Sequence, residues 1–91
     1  MKKWKVIIKR YFEDYETSKI EIFCKNKKDA RETLLKEFNF IKREEKIDEL
    51  VFFEDYILDQ KEDSCMLKIF DDSCGPIPYE TKFIIEIIKN K

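Results

Sequence analysis

Only one stretch of this chain has the periodicity of a helix, and nearly everything else apolar alternates. Ala30, Leu34, Phe38 and Ile41 recur at i, i+4, i+8 and i+11, the spacing that lines one side of an α-helix. Leu35 is expected to widen that stripe. Asn26 is a good N-cap, and Asp29 falls where the positive end of a helix favours an acid. The helix is therefore expected over about residues 27–42, with a blurred end because no Gly stops it.

Residues 4–12 and 19–25 alternate with period two and read as a β-hairpin joined by a polar connection at 13–17. Trp4, Val6, Ile8 and Phe12 are expected to face the core, as are Ile20, Ile22 and Cys24. Phe23 falls on the outward side and is an anomaly. Residues 50–58 are aromatic and β-branched and read as a strand apolar on both faces, followed by a turn at 59–63 and a further strand at 65–70. Residues 71–78 hold the single Gly and both Pro and read as a loop. The run 83–88 fits a strand or a helix, and its density of Ile favours the strand. The expected order is ββαβββ, an α+β fold in which a mostly antiparallel sheet carries one helix on one face.

The chain has 91 residues, the size of one domain with one core. Apolar residues make up 43%, enough for that core, and charged residues also make up 43%, so the surface must be densely charged. Lys and Ile are used heavily and Lys far outnumbers Arg, a bias that accompanies AT-rich genomes such as those of low-GC bacteria and their phages. No secretory leader and no apolar run long enough to span a bilayer is visible, so the expected compartment is the cytoplasm, with no membrane partner. Three cysteines, Cys24, Cys65 and Cys74, are an odd number with no C-x-x-C pair, and are expected to be reduced thiols.

Charge is distributed unevenly. Residues 1–43 carry 13 basic and 7 acidic side chains, whereas residues 44–91 carry 6 and 13. If the halves interleave in the fold, these charges neutralise one another across neighbouring strands. If they segregate, the acidic half forms a face for a basic partner, with Glu49, Glu54, Asp55, Asp59, Glu62 and Asp63 as candidate contacts.

Catalytic signals are weak. The chain has no His, the usual acid–base residue near neutral pH, and one Gly cannot build a phosphate-cradling loop. In the loop, Asp71, Asp72 and Cys74 form the most site-like cluster, but the two acids disfavour a thiolate on Cys74 and no base stands ready. Carboxylate pairs abound without the spacing of a calcium loop. The expectation is a non-enzyme with no metal and no cofactor.

Three binding readings follow. The leading one is a small cytosolic interaction or regulatory domain that binds another protein stoichiometrically, of the kind phages and mobile elements direct against restriction or CRISPR systems, or that pairs with itself as a homodimer. A helix on one sheet face leaves Ile7, Tyr11, Phe23, Val51, Phe53 and Ile57 on the other, more apolar surface than an exposed face ordinarily carries. The second is single-stranded nucleic acid bound through Trp4, Lys5, Lys9, Arg10 and Tyr11, although the net charge of −1 lacks the basic total usual in such proteins. The third is a small-molecule module with its pocket near residues 71–78.

Overall fold

The structure is a computed structural model that describes residues 2–45, 56–71 and 79–89. Strands β1 (Trp4–Phe12) and β2 (Tyr15–Cys24) precede helix α1 (Lys27–Glu44), and β3 (Tyr56–Gln60), β4 (Ser64–Asp71) and β5 (Tyr79–Lys89) follow it. The five strands form one sheet in the order β2-β1-β5-β4-β3, antiparallel throughout. This is the expected α+β class, with one helix against an antiparallel sheet.

The helix forms where its period lies. Asn26, in extended backbone, accepts a hydrogen bond from the Asp29 amide at 2.8 Å. Lys42 and Arg43 occupy the last turn, where cations favour the exposed carbonyls. Ala30, Leu34, Phe38 and Ile41 are the buried residues of α1, and they pack on Val6, Ile8, Cys24, Cys65, Leu67, Phe83 and Ile85. Leu35 does not join them: it is one residue past the seam, about 100° round the helix, and stays exposed.

The connection between β1 and β2 is shorter than 13–17. Glu13 and Asp14 alone make the turn, with φ of 51° and 70°, and β2 begins at Tyr15. Positive φ at both central residues matches the twist of a two-residue hairpin. A register shift follows between Arg10 and Tyr11, after which residues 18–24 pair with β1 without interruption. Phe12 and Ile20 are exposed although both lie on the helix side of the sheet; Ile20 is on the outermost described strand, beside the buried Ile8. Phe12 stacks instead on Tyr79, with ring centroids 5.8 Å apart.

Residues 83–88 belong to a strand, as their Ile density suggests, and β5 lies between β1 and β4 at the centre of the sheet. Of the strand expected over 50–58, residues 50–55 lie outside the described residues; β3 runs on to Gln60, so the turn before β4 is 61–63 and not 59–63. Residues 72–78 of the expected loop also lie outside, and Asp71 closes β4.

Candidate binding face

Among the described residues, α1 is the one element packed on the sheet, and it covers the side that bears Val6, Ile8, Leu67, Phe83 and Ile85. Strand alternation and the pairing register place a second set on the other side. Phe23 and Ile88 stand opposite Lys5, Glu21 and Glu86 stand opposite Ile7, and Ile84 links Lys9 to Met66. Phe23, Ile57 and Ile88 are 45%, 51% and 38% exposed.

Ile7 is an exception on this side, only 6% exposed. Its cross-strand neighbours Glu21 and Glu86 and its same-strand neighbours Lys5 and Lys9 all have long side chains. Their aliphatic stems cover Ile7 while the charged heads stay in water. Part of the apolar excess expected on this face is thus buried by its own charged residues.

Charges pair across strands within each half, and the two halves meet where Lys27 and Arg31 of α1 pair with Glu62 and Asp63. Glu21 accepts from Lys5 at 3.4 Å and lies 3.7 Å from Lys19, and Lys68 pairs with Glu80 at 3.3 Å. Two cross-strand positions break this pattern. Lys9 lies opposite Lys19, and Lys68 lies opposite Lys82. Lys82 stands diagonal to Lys9, because Lys9 pairs with Ile84 two residues further along β5. Four lysines therefore run in a line over β2, β1, β5 and β4. Like charges directly opposite one another destabilise a sheet. The Lys82 ammonium sits 4.9 Å from the Tyr11 ring centroid, a cation–π contact.

The candidate nucleic-acid residues divide between the two faces. Lys5, Lys9 and Tyr11 lie on the side away from α1. Trp4 and Arg10 lie on the helix side, with Lys27 5.6 Å from the Trp4 ring and Arg10 5.6 Å from that of Phe83. Of the candidate acidic residues, Glu49, Glu54 and Asp55 fall outside the described residues. Glu62 and Asp63 turn to the helix: Arg31 contacts Glu62 at 2.9 Å and Asp63 at 3.2 Å, and Lys27 reaches Asp63 at 3.3 Å. Arg31 holds the Asp63 carboxyl below its usual range; partial desolvation works against this, and Lys27 adds to it. Asp59, on β3 opposite Met66, is 3.7 Å from Lys61. No family model, curated protein or solved structure matches this chain.

Of the loop candidates, Asp72 and Cys74 fall outside the described residues, and Asp71 is described only as the last residue of β4. Cys24 and Cys65 are both free thiols in the core. The Cys24 thiol lies 3.7 Å from the Thr33 hydroxyl, and burial pushes the Cys65 thiol pKa up, which suits packing rather than attack. Among the described residues, no group of three or more His, Cys, Asp or Glu is placed to hold a metal ion. None of the described helices is long and apolar enough to cross a membrane.

Lys19, Lys68 and Lys82 were not singled out by sequence reasoning. Each looks like an ordinary solvated lysine until β5 is known to lie between β1 and β4, which brings Lys82 diagonal to Lys9 and Lys68 opposite Lys82.

Proposed function

We propose that this chain is a small regulatory module, not an enzyme, that binds another protein stoichiometrically through the side of its sheet away from α1. The observation that carries this reading is that Phe23, Ile57 and Ile88 stand exposed on that side, with Ile84 and Met66 between them and charges of both signs around them. Apolar residues ringed by charge are the composition of a protein-binding surface. The partner is a protein with an apolar patch flanked by charge, and inhibition of a nucleic-acid-processing protein of the restriction or CRISPR kind is the biological setting that a phage-like composition suggests. Asp59 lies on this same side and supplies an acidic contact.

The test is affinity capture from a low-GC bacterial lysate, with and without nuclease, using the wild-type chain and an Ile57→Glu, Ile84→Glu variant. A protein retained after nuclease and lost with the variant is expected. Retention by a variant that is folded by circular dichroism overturns the assignment of this face.

The line of lysines favours a second reading, in which a single-stranded nucleic acid lies across the same side with its phosphates between Lys9, Lys19, Lys68 and Lys82 and a base on Tyr11. Fluorescence anisotropy with a labelled single-stranded oligonucleotide tests it. Affinity should fall as salt rises, and Lys9→Glu with Lys82→Glu should abolish it.

A further inference from the structure

Among the described residues, β2 is an edge strand of ten residues, and its first seven, 15–21, are all exposed. An unpaired edge of this length offers a row of free backbone donors and acceptors to another strand. Beyond the register shift near the hairpin end, 18–24 is regular. Within it the five residues 18–22, Ser-Lys-Ile-Glu-Ile, have a charge pattern complementary to itself about Ile20.

We propose that two copies of this chain pair antiparallel through β2, about a two-fold axis at Ile20, so that the two five-stranded sheets become one continuous sheet with both helices on the same side. With both helices on one side, only residues of the same parity can stand opposite each other. Centring the axis on Lys19 or on Glu21 sets that charge against its own copy. Centring it on Ile20 sets Lys19 opposite Glu21 of the second copy, twice by symmetry, and brings the two Ile20 side chains together. Ile20 is 54% exposed in the single chain although it lies on the apolar side of the sheet. Ser18 then stands opposite Ile22, so that the five residues 18–22, all within the regular part of β2, pair with their copies.

Sedimentation equilibrium over a concentration series tests this, together with hydrogen exchange. The wild-type chain is expected to reach twice the 11.2 kDa of one chain. Lys19→Glu or Glu21→Lys alone sets like charges opposite each other and is expected to weaken the dimer about tenfold or more. Combining the two restores the complementary order, and with it most of the affinity. In parallel, amide protection within residues 18–22 should rise with protein concentration, a readout that needs no variant. A chain that stays monomeric at millimolar concentration overturns the proposal. So does a dimer indifferent to both single reversals, or one that the combined variant fails to restore.

Discussion

The Arg31 guanidinium, on the second turn of α1, donates to Asp63 in the turn between β3 and β4 at 3.2 Å. This contact ties the helix to the far edge of the sheet, across three strands from β2, after which the helix begins. Lys27 reinforces it from the preceding turn. Asp63 in turn belongs to the sheet, because its carbonyl accepts from the Ile87 amide at 3.0 Å.

The pH dependence of this link has a definite sign. The folded Asp63 titrates below 3.8, first because of the Arg31 hydrogen bond, so its stabilising effect is complete above that value and is lost as pH falls through the lower, folded value. Arg31→Ala should move the Asp63 carboxyl back toward 3.8. An NMR titration of its carboxyl carbon measures this, and an unchanged midpoint would show that Arg31 is not the cause.

The β-turn at Glu13 and Asp14 is strained by its composition. Both residues hold a left-handed backbone that suits Asn-Gly or Asp-Gly. Glu13 has a second task, since its carboxylate accepts from the Glu80 amide at 2.7 Å. Asp14→Gly relieves strain without touching that contact. It should stabilise the fold by about 1 kcal/mol, seen as a higher urea midpoint at constant slope. A lower midpoint would mean that Asp14 makes a compensating interaction in the turn.

Lys9 and Lys19 face each other across β1 and β2. Replacing Lys9 by Thr, a good strand residue without charge, should raise stability by about 0.5 kcal/mol. The same change should weaken an anionic ligand on this face. Thermal melts and oligonucleotide anisotropy on the one variant separate the two effects; a loss of stability would show that the stem of Lys9, by covering Ile7, outweighs the repulsion.

Cys24 and Cys65 are buried, and burial also raises the pKa of Cys65. Neither should react with iodoacetamide in the native state, and both should react once the chain is unfolded in guanidinium. Peptide mapping by mass spectrometry resolves them individually. Rapid native alkylation of Cys65 would show that β4 opens readily.

The helix was legible because Ala30, Leu34, Phe38 and Ile41 state its period and Asn26 its start, both local signals. The strands were legible where side chains alternate, as in β1. Their order was not, since antiparallel pairing places no constraint on which hairpins adjoin, and nothing local marks β5 as the neighbour of β1. The tight turn was obscured because Glu13 and Asp14 are not the residues its backbone favours. Phe12 and Ile20 have core-like alternation but stay exposed, and how much of a sheet one helix covers is a property of the assembled layers. In the candidate face, Lys9 and Tyr11 could be picked out as a mixture of cation and aromatic. Their partners on β4 and β5 could not, and Glu62 and Asp63 read as free acids because Arg31 is far away in sequence.

The pairing of β1 with β5 joins Trp4 to Lys89, close to the two ends of the described chain. The two flanking hairpins, β1–β2 and β3–β4, can each form early from neighbouring residues, but neither meets the other without β5. During synthesis on a ribosome, Val6 and Ile8, already paired with Ile22 and Ile20, must therefore wait for Ile87 and Ile85 before they acquire neighbours on their other side. Closing so long a loop carries a high entropic cost ahead of its reward, which places this chain among slow folders for its size and leaves its nascent N-terminal hairpin exposed to chaperones until the last strand emerges.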